Sequence, residues 1–316
     1  MLPISSNKMF HNLDRVSGDY RPITADVFLT NYCNNRCSWC TYNRWEKSET
    51  ASFMSIDKFR EYLTKLVTKG VRGVILTGGG EPTINPDFDL ITDELENRKI
   101  HYGINTNFNE LKFFKPDYLK VSLDGYDEES YYKIRGVRAY SKVVENIEKF
   151  AEWKKENSLA TTLGIQQVAT NVSDVYYFWY ANKKLPVDYI VFRPVESTGG
   201  KYYENDHEYR HILDAIKELQ KFDDRVVLNY KWDYLNRTFD NCVAHWAQIA
   251  IDEKGNVIYC CHKPFEIIGH ITDNDIMEKY ARAKTDMKMC DVPCRMTAPN
   301  EFMENYNQKI SNPYFI

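Results

Sequence analysis

The chain has 316 residues, 43% hydrophobic and 14% aromatic, with 41 Lys and Arg against 45 Asp and Glu for a formal net charge of −4. That balance suits a globular chain of one large and one small unit, or a single barrel, and no basic tract with interleaved aromatics points to nucleic acid. Apolar runs reach strand length only, and the N-terminal MLPISSNKMFHNLDRVSGDYRP has neither an apolar segment nor a small-residue cleavage site, so no membrane partner and a cytoplasmic location are expected.

ITADVFLT (23–30), β-branched and aromatic, predicts a first strand, and NYCNNRCSWC after it a polar loop. Ser55 opens an amphipathic helix, SIDKFREYLTKLVTKG, which Gly70 stops. VRGVILT (71–77) predicts the second strand and ends in three glycines. A helix over 87–98 leads to strand KIHYGINT (99–106) and then to strand DYLKVSLDG (117–125). A long helix over 140–156, strand SLATTLGIQQVAT (158–170), a helix over 172–183 and strand VDYIVFRP (187–194) complete the series.

Six strands alternating with helices predict parallel βαβ units with right-handed crossovers. The expected fold class is α/β, a partial (β/α)6 TIM-like barrel, with its site at the C-terminal strand ends. The cysteine loop and the glycine run both emerge at that rim. Beyond residue 200 come a helix over 206–222, a strand RVVLNY (225–230) and a hairpin IAIDEKGNVIYCC (249–261) turning at Asp-Glu-Lys-Gly. A short helix near 275–284, CDVPC and an irregular tail follow. The expected organisation is an N-terminal extension (1–22), the barrel (23–200), a linker helix and strand (201–238), a small cysteine-bearing unit (239–300) and a tail (301–316).

Eight cysteines fall in two groups with none between Cys40 and Cys242. A disulfide framework belongs to secreted chains, so two metal sites are the better reading. Cys33, Cys37 and Cys40 supply three thiolates, which leaves one iron of a cluster open to a small molecule. Zinc usually wants four closed ligands, and no fourth Cys or His lies nearby in sequence.

CNNRCSWC resembles the CxxxCxΦC signature of the radical S-adenosylmethionine (SAM) superfamily, with Trp39 at the aromatic position. TGGGEP resembles that family's GGE motif, and the resemblance implies that Gly79, Gly80 and Glu81 take the amino group of SAM's methionine. NTN, with Asn105, resembles a segment at the end of the third strand, with Phe108 standing where glycine is common. VSLDG resembles the fourth-strand segment, which implies Ser122 and Asp124 near SAM's ribose or carboxylate. KIRG implies that Arg135 pairs with that carboxylate, a task suited to a bidentate guanidinium.

Cys242, Cys260, Cys261, Cys290 and Cys294, set around a hairpin and a helix, resemble the SPASM/twitch extension of the same enzymes. Five cysteines suit the shorter twitch form, with Cys242, Cys260, Cys290 and Cys294 as metal ligands of one auxiliary [4Fe–4S] cluster; a four-cysteine zinc site is the other reading. One thiol is then spare, Cys260 or Cys261, either packing in the core or, as Cys261, donating a hydrogen atom to a substrate radical. His245 and His262 flank the group as ligands, acid–base groups or surface residues.

By this resemblance the cofactors are a SAM-binding [4Fe–4S] cluster, SAM and the auxiliary cluster, with an external electron donor such as flavodoxin or ferredoxin. The implied chemistry is reductive cleavage of SAM to a 5′-deoxyadenosyl radical that abstracts a substrate hydrogen. Oxidation is expected, because one complete auxiliary site needs no assumption about the spare thiol. A small polar substrate such as a sugar or aminocyclitol is expected too, because only about twenty residues precede the first strand, whereas peptide-modifying relatives often carry a leader-recognition domain there. Epimerisation through the spare cysteine, ribosomal-peptide modification and a non-catalytic electron carrier are the alternatives.

Overall fold

The computed structural model describes residues 9, 12–16, 21–38, 40, 42, 51–198, 206–233 and 239–307. Its βα series runs β1 (Thr24–Val27), α1 (Ile56–Thr68), β2 (Gly73–Leu76), α2 (Phe88–Asn97), β3 (His101–Thr106) and β4 (Tyr118–Ser122). It continues with α3 (Glu128–Arg135), α4 (Tyr140–Glu156), β5 (Thr162–Ala169), α5 (Val172–Asn182), β6 (Tyr189–Pro194), β7 (Ser197–Thr198), α6 (Asp206–Leu219) and β8 (Val226–Leu228). The C-terminal part holds β9 (Gln248–Ile251), β10 (Asn256–Ile258), β11 (Ile267–His270), α7 (Ile276–Arg282), β12 (Asp291–Val292) and α8 (Thr297–Asn307). Among the described residues no helix is long and apolar enough to cross a membrane.

The expected six parallel strands stand side by side, β1 through β6 in sequence order. Both edges are extended. β8 adds in parallel to β6, and β9 adds in parallel to β1 with Thr24 opposite Gln248 and Val27 opposite Ile251. β10 and β11 then continue as antiparallel neighbours, giving a ten-stranded sheet that the hairpin shares with the barrel strands. The hairpin turns where expected: the Asp252 carboxylate accepts from the backbone N–H of Lys254 (2.9 Å) and Asn256 (2.8 Å).

Strand alternation gives the sheet two unlike faces. Ala25 and Val27, Val74 and Leu76, Leu119 and Val121, Leu163 and Ile165, Ile190 and Phe192, and Ile249 and Ile251 share one core. Phe59 and Leu63 of α1, Ile91 and Leu95 of α2, Ile147 and Phe150 of α4, Phe178 of α5 and Ile212 of α6 lie in that same core. Each fully buried side chain of this kind contributes about 1.5–3 kcal/mol. Helices confined to one face are what curl a parallel sheet towards a barrel.

The residues between belong to the inner face and are mostly polar or glycine: Asp26, Asn105, Lys120, Ser122, Gln166 and Arg193 among them. Gly103 and Gly164 sit opposite Tyr118 and Tyr189, whose rings fill the missing side-chain space; a Cβ on either glycine would lie about 2 Å from the ring. Asp26 is buried, accepts from Gln248 Nε2 (2.8 Å) on the neighbouring strand, and pairs with Arg295 (2.7 Å). These rings and that ion pair occupy part of the inner face, which also carries the polar side chains of Lys120, Gln166 and Arg193.

Two helices exceed the sequence expectation. α3 begins at Asp127, whose carboxylate accepts from Ser130 N–H (2.7 Å) in a capping box. α8 replaces the irregular tail expected after CDVPC, carrying Pro299 in its first turn, a position where the missing N–H costs nothing.

Candidate functional site

The cysteine loop leaves β1 and docks on the end of α3. Arg36 N–H donates to Arg135 O and Ser38 N–H to Ile134 O, both at 2.9 Å, satisfying carbonyls that a helix C-terminus leaves open. Cys33, Cys37 and Cys40 are all half-buried. Cys33 Sγ accepts from Asn35 N–H (3.4 Å) and Asn107 Nδ2 (3.8 Å), and Cys37 Sγ accepts from Arg135 Nη1 (3.3 Å). Burial pushes the Cys33 thiol up to about 12, with Glu81, Cys37 and Cys40 adding to the shift. A buried thiol whose charging is opposed by two neighbouring cysteines suits a bound metal cluster that takes the thiolate charge. Among the described residues, no three His, Cys, Asp or Glu side chains converge on one point as they would around a single ion. Trp39 lies outside the described residues.

The glycine run after β2 abuts this loop. Glu81 N–H donates to Tyr32 O (2.9 Å), and a Cβ on Gly80 would lie 1.7 Å from that oxygen, so only glycine permits the approach. The Glu81 carboxylate is buried and turned inward. Oε1 accepts from Thr83 N–H (3.1 Å), Thr83 Oγ1 (2.7 Å) and Thr106 Oγ1, while Oε2 accepts from Asn107 N–H (2.7 Å). Burial raises its pKa, and these donors oppose the rise. Glu81 thus ties the β2 and β3 loops together, and Asn107, beside it, reaches Asn34 Oδ1 (2.6 Å) and Cys33.

Asp124 and Arg135 pair with each other beside the cysteine loop. Asp124 Oδ2 pairs with Arg135 and its Oδ1 accepts from Val168 N–H (2.6 Å), so both oxygens are occupied. Arg135 divides its guanidinium between that carboxylate and Cys37, leaving Nε buried without a partner. Burial opposes the Arg135 charge, but Asp124 and Cys37 raise its pKa on balance. Both residues therefore brace the cysteine loop, Arg135 directly through Cys37 and Asp124 through Arg135. Asn105 donates to Thr77 Oγ1 (3.2 Å), and Ser122 sits opposite Gln166 at the end of β4. Gln166 Oε1 is buried without a hydrogen bond. Asn107 closes the NTN segment singled out in the sequence, whereas nothing in the sequence marked Gln166, inside β5.

The C-terminal cysteines lie near one another. Burial, then Cys294 and Cys290, push the Cys242 thiol up to about 12. Burial, then Cys261, raise Cys260, with Cys294 adding and Arg295 opposing. Cys242, Cys260, Cys290 and Cys294 are thus linked electrostatically. Asn300 of α8, fully buried, donates to Cys242 Sγ (3.4 Å) and accepts from Val243 N–H (2.6 Å) and Ala244 N–H (2.9 Å). Cys261 instead packs with Phe28, Ala250, Ile258 and Tyr42, and Tyr42 donates its phenol to Cys261 O (2.9 Å). Tyr42 comes from the first cysteine loop, so it links the two groups. His245 is buried with each ring nitrogen against a carbonyl, Cys242 O (2.8 Å) and Tyr280 O (2.7 Å), which removes it as a metal ligand. His262 Nδ1 lies 3.6 Å from Glu196.

Residues 27–168 match the radical SAM superfamily. The chain carries a radical SAM domain. Curated relatives of this domain include the GTP 3′,8-cyclases of Actinobacillus succinogenes, 23% identical over 172 residues (51% of this chain and 51% of that one), and of Mannheimia succiniciproducens, 24% identical over 199 residues (60% and 58%). The chain spans about half the length of the curated relatives it matches. Solved structures with the same fold include Streptococcus suis SuiB bound to the precursor peptide SuiA (TM-score 0.62, 15% identity, covering 91% of this chain and 75% of that one). Native anSMEcpe with bound AdoMet is alike to the same degree (TM-score 0.62, 17% identity, covering 91% and 85%). At that identity the likeness is one of fold, and it includes the open, partial barrel.

Proposed function

We propose that this radical SAM protein reductively cleaves SAM and uses the 5′-deoxyadenosyl radical to oxidise a small polar substrate. The observation that carries the reading is the joining of the two cysteine groups: β9 pairs with β1, and Tyr42 bonds the first cysteine loop to Cys261. An electron carrier without SAM chemistry would not need the Gly79–Glu81 loop beside Cys33. In this reading Cys33, Cys37 and Cys40 hold a [4Fe–4S] cluster, and Cys242, Cys260, Cys290 and Cys294 hold an auxiliary [4Fe–4S] cluster as electron acceptor. When bound, the first cluster supplies the electron that breaks SAM's sulfur–carbon bond.

The chain's own residues position the reactants. The backbone of Gly79 and Gly80 takes the methionine amino group, with Glu81 fixing that loop through its four donors. Asn105, Ser122 and Gln166 present hydrogen-bonding groups from neighbouring strands to the rest of SAM. Asp124 and Arg135 keep Cys37 in place, and the Arg135 N–H to sulfur raises the potential of whatever that thiolate holds. The relatives named for GTP, and the polar inner face, favour a small polar substrate over the peptide named for SuiB. Epimerisation is the second reading, favoured by the packing of Cys261 against Phe28, Ala250, Ile258 and Tyr42.

Cys290→Ala tests the acceptor. Iron should fall from about eight to about four per chain, SAM cleavage should survive, and multiple-turnover oxidation should be lost. Unchanged iron, or unchanged oxidation, would remove the acceptor from the account. Cys261→Ser should leave oxidation intact, and abolish turnover only if the reaction is epimerisation.

A further inference from the structure

The inner face holds a set of charges that neither cysteine group uses. Lys120 of β4 lies opposite Gly164 of β5, where the Tyr189 ring takes the place of a β5 side chain. It is half-buried, and no described residue gives it a hydrogen bond or ion pair. The charges it senses are Arg193, Lys231, Glu196 and Arg295. Of these, Arg295 is neutralised by Asp26. Glu196 is one carboxylate shared by two cations: Oε1 accepts from Arg193 Nη2 (2.9 Å) and pairs with Lys231. Arg193 and Lys231 therefore share one carboxylate, Lys120 lies within the field of all three, and Arg193 Nε is buried without a partner.

Such an arrangement is costly in an empty protein. An uncompensated half-buried ammonium destabilises the fold, and an apolar side chain would serve packing better. SAM does not supply the missing charge, since its sulfonium, ammonium and carboxylate sum to one positive charge at neutral pH. The excess calls for a second, negatively charged guest.

We propose that Arg193 and Lys231, held together by Glu196, form with Lys120 a subsite for an anionic group of the substrate, a phosphate or carboxylate on a small molecule. The inference rests on the radical SAM reading and adds the substrate's charge class to it. Glu196 sets the spacing of Arg193 and Lys231, Arg193 offers its unused Nε–H, and Lys120 closes the third side. The site then orients the substrate by its charged end, so that one C–H bond is presented to the radical.

The test uses the anaerobically reconstituted protein with SAM and no reductant, titrated calorimetrically with inorganic pyrophosphate and, separately, with malonate. One of the two should bind with a Kd of about 1 mM or tighter, and Lys120→Met should weaken it about tenfold or more while SAM affinity stays unchanged. Which probe binds distinguishes a phosphate from a carboxylate. Lys120→Arg, which keeps the charge, should restore most of the binding, so a general loss of structure is not mistaken for the effect. Binding of neither probe to the wild type would overturn the inference, as would anion binding that Lys120→Met leaves intact. So would a fall in SAM affinity in parallel with the anion's, because the cations would then serve SAM's own carboxylate. SAM cleavage under reducing conditions is measured in the wild type as well: if it occurs while neither probe binds, the subsite is wrong and the radical SAM reading stands.

Discussion

Glu81 shows how one carboxylate can be written into a motif for more than one reason. Its four donors come from Thr83, Thr106 and Asn107, residues of two different loops, so its first effect is to fix loop geometry. Glu81→Gln would turn an amide N–H towards at least one of those donors. We expect a loss of about 1–3 kcal/mol in urea unfolding together with weaker SAM binding, whereas a purely ligand-binding role would leave stability unchanged. Lys120 is the opposite case, a residue kept against stability. Burial, with Arg193 and Lys231 adding and Glu196 opposing, pushes its amine down from 10.5 to about 7. The folded value lies below the unfolded one, so the penalty for its charge is absent above 10.5, grows as the pH falls, and is complete below about 7. Lys120→Met should therefore raise Tm at about pH 6, with the gain shrinking as pH rises. A gain independent of pH would contradict this assignment. Neither role is legible in sequence, because both depend on which side chains surround the group.

At the scale of elements, strands and helices with a clear apolar period were legible: α4 spans residues 140–156 as the periodicity predicts, and β6 ends at Pro194 as expected. α3 was not, although Asp127 and Ser130 form its capping box and Gly136 ends it; eight residues with one buried tyrosine carry little periodic signal. That short helix matters because its C-terminus receives the cysteine loop. α8 was also missed, and with it Asn300, which holds Cys242. The pairing of β9 with β1 could not be read at all, since strand neighbours far apart in sequence are chosen by packing. Tyr42 fastens this junction. Tyr42→Phe should cost about 1 kcal/mol and speed amide exchange in β9 and β10 relative to β3 and β4. Equal protection in both regions would show that the bond to Cys261 O holds nothing.

For the whole molecule, the sequence carries the architecture in its alternation and the chemistry in its cysteine spacing. Six β-branched runs separated by helical periods specify the partial barrel, because every second residue of each strand joins one helix-covered core. The other face is polar, and a polar inner face is poorly explained by packing alone. Cysteine spacing marks Cys33, Cys37 and Cys40, yet it does not show that the loop rests on α3, that Arg135 is committed to Asp124, or that the C-terminal group shares the barrel's sheet. The central claim is that these three cysteines hold the cluster that cleaves SAM. It is tested most directly by anaerobic reconstitution of the wild type and of the Cys33→Ala/Cys37→Ala/Cys40→Ala variant, followed by assay of 5′-deoxyadenosine formed under reducing conditions. The account predicts about eight irons and SAM cleavage in the wild type, and about four irons with cleavage abolished in the variant; 5′-deoxyadenosine formed at the wild-type rate by the variant would contradict it.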